Sequence, residues 1–127
     1  MNRKIKALLV MPGKEAQLVK IPANIKFIKS FIGENLQKVR LNNDVILIAN
    51  RDSKFEDANR FLGDNLILGT FLIVNFKNNH RVNLNNRQIR KYTNTFLLRK
   101  HTRKIELLKK EYFKNYYSSI NQNLIAA

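Results

Sequence analysis

The chain has 127 residues, 44% of them apolar, and carries 24 basic against 9 acidic side chains, a net charge of +15. That length fits one domain of ordinary size, and the lack of cysteine excludes a disulfide framework and a thiolate metal site. No apolar run approaches the roughly 20 residues that cross a bilayer, and Ala7 to Met11 is too short for the core of a signal peptide, so a cytoplasmic protein without a membrane partner is expected.

Lys4 to Met11 reads as a strand, ended by a Pro12-Gly13 turn in which proline presets φ and glycine supplies φ > 0. Glu15 to Ile21 returns as its antiparallel partner. Asn24 is the N-cap of a helix whose apolar stripe is Ile25, Phe27, Ile28, Phe31 and Ile32, with Gly33 as its stop. Leu36–Leu41 and Val45–Ala49 form a hairpin across Asn42, Asn43 and Asp44, because asparagine tolerates the left-handed conformations of tight turns. The unbroken apolar run Val45 to Ile48 predicts a central strand covered on both faces.

Arg51 to Asp57 reads as a polar loop, with Phe61 and Leu62 plugging the core before a Gly63-Asp64 turn. Leu66 to Phe76 is the strongest strand pattern, interrupted by Gly69, which marks a bulge or a close backbone approach. Lys77 to His80 is a second Asn-rich turn, followed by a short extended piece, Val82 to Leu84. Asn85 or Asn86 caps a second helix with Ile89, Tyr92 and Phe96 on one face. A third helical pattern over about Thr102 to Tyr117 places Ile105, Leu108, Tyr112 and Tyr116 three and four residues apart, and the tail beyond it is expected to fray. The fold class is therefore α+β: a small antiparallel sheet with one packed helix and a basic C-terminal helical extension. The boundary is placed between an α+β domain, 1–98, and the extension, 99–127.

The charge is not spread evenly. Residues 1–76 hold 12 basic and 7 acidic side chains, whereas residues 77–127 hold 12 basic and 2 acidic ones. A codon bias toward lysine would raise Lys throughout and would not strip acids from one end. Arginine, with its planar fork for phosphate, recurs in that stretch at Arg81, Arg87, Arg90, Arg99 and Arg103.

Several segments together resemble a known family. They are Ile5-Lys6-Ala7-Leu8-Leu9-Val10 with Pro12-Gly13-Lys14, Val45-Ile46-Leu47-Ile48-Ala49-Asn50, and Asn59-Arg60. The most specific are Ile67-Leu68-Gly69-Thr70-Phe71-Leu72-Ile73-Val74 and Asn83-Leu84-Asn85-Asn86-Arg87-Gln88-Ile89-Arg90-Lys91-Tyr92. The pattern is similar to a family of domains of unknown function, number 3846, over about residues 4–97. The resemblance implies a setting in bacteriophages, plasmids and integrated elements of low-GC bacteria, where small non-enzymatic proteins often antagonise host defence. It implies no activity and no site residue. Two departures both add positive charge: Asn86, Arg87 and Arg90 stand where the family helix usually starts with acidic residues, and the segment from Arg99 onward is an addition.

Catalytic and cofactor motifs are missing. No glycine-rich phosphate loop and no G-x-S-x-G elbow occurs, so no cofactor is expected and an enzyme is not. His80 and His101 lack spaced metal-ligand partners and read as solvated surface residues. Glu56, Asp57 and Asp64 could gather around a cation but read more simply as a solvated acidic loop, and Asn59-Arg60 reads as a pair that holds that loop in place. The functional signal is the basic C-terminal third. Candidate contacts to nucleic acid or a partner are Arg87, Arg90, Lys91, Arg99, Lys100, Arg103, Lys104, Lys109, Lys110 and Lys114. Tyr112, Tyr116 and Tyr117, with Phe113, are candidates for stacking on unpaired bases. No helix-turn-helix or zinc-finger spacing supports sequence-specific reading.

Three functions are open at this point. The first is an anti-CRISPR-like inhibitor that binds a nucleic-acid-containing host defence complex, its basic helix meeting either nucleic acid or an acidic protein surface. The second is a general RNA- or DNA-binding protein of a mobile element. The third is a sponge for a nucleotide signal.

Overall fold

The computed structural model describes residues 3–126, with side chains described through Asn115. The elements run β1 (Lys4–Val10), β2 (Gln17–Pro22), α1 (Ile25–Ile32), β3 (Leu36–Arg40), β4 (Val45–Asn50), β5 (Ala58–Leu62), β6 (Asn65–Leu68), β7 (Phe71–Lys77), β8 (His80–Val82), α2 (Asn86–Thr95) and α3 (Thr102–Ala126). Six strands make one antiparallel sheet in the order β2-β1-β7-β4-β3, with β8 on β7, and β5 and β6 pair as a separate hairpin. The fold is α+β, as the pattern predicts.

The sheet is covered on both faces, and strand alternation decides which residue serves which layer. Ile5, Ala7 and Leu9 of β1, Ile48 of β4 and Leu72 and Val74 of β7 pack under Ile28 and Ile32 of α1. The alternate residues Leu8, Val10, Val45, Leu47, Ala49, Phe71 and Ile73 pack against Tyr92 and Phe96 on the opposite face. Ile67 of β6 and Leu62 of β5 join that second layer. Burying each such aliphatic or phenyl side chain contributes about 1.5–3 kcal/mol. β7, buried from Phe71 to Asn75, is the centre of the molecule.

β7 has β4 along one edge. Its other edge is shared: β1 pairs at Leu8↔Ile73 to Val10↔Phe71, and β8 pairs at Asn75↔Val82 to Lys77↔His80. Where β1 leaves β7, the chain after β8 fills the fork. Leu84 N–H donates to the Lys6 carbonyl at 3.0 Å and Asn83 Oδ1 accepts from Lys6 N–H at 2.7 Å.

Local signals explain most element ends. Asn24 Oδ1 accepts from Phe27 N–H at 2.8 Å to start α1. Asn85, rather than Asn86, caps α2, and Gln88 completes a reciprocal capping box. Two expectations are corrected here. Phe61 and Leu62 belong to strand β5, which pairs with β6; Leu62 does pack on the core from a half-buried position, whereas Phe61 is half buried under the Lys104 ammonium instead. The long pattern from Leu66 is two strands in different sheets, since Gly69 (φ +74°) turns the chain from β6 into β7 rather than bulging one strand.

The asparagine turns also divide differently from the expectation. The left-handed residues are Asn78 (φ 52°) and Asn79 (φ 63°) between β7 and β8. In the β3–β4 turn no residue has positive φ; Asn42 Oδ1 instead accepts from Asp44 N–H and Val45 N–H, both at 3.0 Å. An Asx turn there replaces the left-handed backbone.

Candidate nucleic-acid interface

The basic C-terminal third is built on two helices that turn their apolar stripes inward. In α2, Tyr92 is buried, Ile89 packs on the core and Phe96 follows at the helix end. Arg87, Arg90 and Lys91 are left exposed on the opposite side. A 3-10 turn at Leu98–Lys100 then leads into α3. Glu15 Oε1 accepts from Leu98 N–H at 2.9 Å, tying this turn to the loop before β2. Lys100 Nζ donates to Asn94 Oδ1 at 3.2 Å, which brings this residue back against α2.

α3 is anchored rather than trailing. His101 is buried, Nδ1 accepts from Phe61 N–H of β5 at 3.1 Å, and Nε2 meets the Thr95 carbonyl at 2.9 Å. This is the pattern of a neutral imidazole with its proton on Nε2. The expectation of a solvated His101 is corrected: its partners lie 40 residues and 6 residues back in the chain, and no short-range spacing reveals them. His80, at the start of β8, is exposed. Ile105 of α3 is buried, and the Lys104 ammonium sits 4.1 Å from the centre of the Phe61 ring.

At 100° per residue, Arg103, Lys110 and Lys114 fall within about 40° of one another, on the side of α3 opposite Ile105 and Tyr112. All three are exposed, as are Arg99, Lys100 and Lys104, while Lys109 is partly covered. The structure thus gathers Arg103, Lys110 and Lys114 on one line of α3, and Arg87, Arg90 and Lys91 on the outer side of α2. Glu106 and Glu111 flank the α3 line, so its field is reduced but not cancelled.

The stacking candidates fare differently. Tyr112 is 42% exposed, and its ring stacks on Phe55 with centroids 4.5 Å apart, so one ring face is already used. Phe113 meets Tyr112 edge-on at 5.4 Å. The side chains of Tyr116 and Tyr117 lie outside the described residues. Leu107, 58% exposed, sits within the basic line of α3.

Sequence reasoning gave too small a part to Asn59 and Arg60. Both are fully buried. The Arg60 guanidinium donates to the Phe96 carbonyl at 2.8 Å, to Asn59 Oδ1 at 2.8 Å, to the Asn59 carbonyl and to the Lys14 carbonyl. Asn59 Nδ2 donates to the carbonyls of Val10 (2.9 Å) and Gly69 (2.8 Å). The pair ties together the end of β1, the Gly69 corner and the end of α2, so it holds far more than its own loop. Burial pushes the Arg60 guanidinium below its ordinary value, against the opposing charge of Glu15. A polar pair inside a loop-like segment gives no sequence signal of such reach.

Among the described residues, no three or more His, Asp or Glu side chains stand where they could hold a metal ion, so Glu56, Asp57 and Asp64 do not form such a group. No helix in the described residues is long and apolar enough to cross a membrane.

No curated protein and no solved structure matches the chain. One family model does match, over residues 5–97, the region that holds β1 to β8, α2 and the Asn59-Arg60 tie, and it leaves α3 outside. By that match the chain belongs to the DUF3846 family, a domain of unknown function.

Proposed function

We propose that this protein is a non-enzymatic accessory factor of a mobile element that inhibits a host defence complex by binding, as an anti-CRISPR does, with α3 meeting the nucleic acid of that complex. The observation that carries the reading is the exposed line Arg103, Lys110 and Lys114 on the outer side of α3. The same helix spends its inner side on Ile105 and is tied to the body by His101, so the line faces outward, where it can present charge to a phosphate backbone. Arg87, Arg90 and Lys91 on α2 extend the same chemistry into the family domain. The mobile-element setting rests on the family, and the step from there to defence inhibition is analogy.

The test is binding of duplex DNA, single-stranded DNA and structured RNA across a salt series. Phosphate contacts give a log–log slope of about 0.9 per contact on duplex and about 0.7 on single strands. The triple variant R103Q/K110Q/K114Q is expected to lower the slope by roughly two to three contacts. A slope unchanged in that variant removes α3 from the mechanism. Tight binding of free nucleic acid with no effect on any defence complex would favour a general nucleic-acid-binding protein instead.

A further inference from the structure

A second site lies away from both basic helices. The β5–β6 hairpin does not close fully over the β3–β4 end of the sheet, and a cleft of about 350 Å³ remains between them. This is at the small end of the roughly 300–1,000 Å³ typical of ligand sites. The floor is Leu47 and Ala49 of β4, and Val39, Leu62 and Ile67 rise around it. Every lining residue falls between 37 and 68, inside the family match and outside α2 and α3.

The lining selects a ligand chemistry. Its apolar surface is wholly aliphatic, with no aromatic ring to stack a base, so a nucleotide has no platform there. No carboxylate lines the cleft, so a cationic ligand has no counter-charge. Arg51 is its one charged residue. The Arg51 backbone is fixed by N–H donation to the Asn35 carbonyl at 2.8 Å, and the side chain is exposed at the mouth. Beside it, Gln37, which pairs with Ala49 across the β3–β4 ladder, adds amide N–H donors, whereas the Asn50 amide turns to the α1 face beside Gly33, with its Oδ1 on Asp52 N–H at 2.9 Å. An aliphatic pocket with a guanidinium and amide donors at one end is complementary to a hydrocarbon body ending in an anion.

We infer that this cleft binds a small aliphatic carboxylate, with its chain on Leu47, Ala49 and Val39 and its carboxylate held by Arg51 and Gln37. The inference is independent of the role of α3.

The experiment is an amide-shift NMR titration of the full chain with octanoate, beside octanol and octylamine as headgroup controls. Expected are shifts centred on residues 37–51 and 62–68, with octanoate bound about tenfold more tightly than octanol. R51Q is expected to remove that preference while leaving octanol binding intact. V39F, which fills the cleft from a half-buried edge position, is expected to abolish both while the remaining spectrum stays folded. The triple neutralisation of α3 should leave octanoate binding unchanged. The proposal is overturned by shifts centred on α3, by octylamine binding as well as octanoate, by octanoate affinity unaffected in R51Q, or by no saturable binding.

Discussion

At the scale of single residues, Arg60 is the side chain on which most of the tertiary arrangement converges. A buried guanidinium without a hydrogen-bonded carboxylate is costly unless its N–H groups are satisfied, and here four oxygens satisfy them. Replacement by a neutral side chain strands those oxygens in the interior. R60M is expected to lose roughly 3–5 kcal/mol in urea unfolding, and a loss below about 1 kcal/mol would contradict a hub role for Arg60. Tyr92 carries a second prediction. Its hydroxyl accepts from Asn42 Nδ2 at 2.9 Å, and burial raises its phenol above the usual 10.0. A raised folded-state value means that the native state holds the proton longer than the unfolded chain does. Tyr92 therefore stabilises the fold fully below pH 10 and loses that contribution as pH rises through its folded value. The stability gap between the protein and Y92F should accordingly narrow above pH 10, measured by unfolding both side by side so that lysine titration cancels.

At the scale of elements, each secondary structure forms where its local sequence allows, and a few contacts decide where it sits. Helix α2 has its own start signal in Asn85 and Gln88 and would be recognised anywhere. Helix α3 has no comparable cap among its contacts, and its position depends on His101 bridging β5 and the end of α2. H101A leaves the Phe61 N–H and the Thr95 carbonyl without this partner, at about 1–3 kcal/mol for each group that water does not reach. The expected result is faster amide exchange through Thr102 to Tyr112 with β7 protection retained. Equal loss across β7 would mean that His101 supports the sheet itself. The Gly69 corner is another such decision. Its positive φ and the Ser53 hydroxyl lying where a Cβ would project together reserve the position for glycine.

At the scale of the whole molecule, a net charge of +15 on 127 residues sets like charges against one another in the compact state. Raising ionic strength from about 0.01 M to about 0.15 M shortens the Debye length from about 30 Å to about 8 Å. The Tm is expected to rise over that range, and a flat or falling Tm would show that the basic side chains are already neutralised by local partners. The asymmetry matters more than the total. The family domain supplies the sheet, the cleft and the Asn59-Arg60 tie, while α3 adds charge beyond it. The two proposed sites therefore lie on separable parts of the chain, and variants at one test it without disturbing the other.

By itself the sequence determined the α+β class, the strands β1, β2, β3 and β4, both early helices, the family, and the concentration of Lys and Arg at the C-terminal end. These are encoded by short-range period, turn chemistry and composition, which need no partner to be read. Only the tertiary structure decided that the run from Leu66 splits between two sheets, that β5 pairs with β6, and that His101 is buried. It also showed Arg60 as a hub reaching Lys14 and Phe96, and it opened the cleft between a hairpin and a sheet edge. Each depends on groups tens of residues apart meeting in space. Hydrogen-bond satisfaction of a buried side chain, unlike hydrophobic period, leaves no mark on its sequence neighbours.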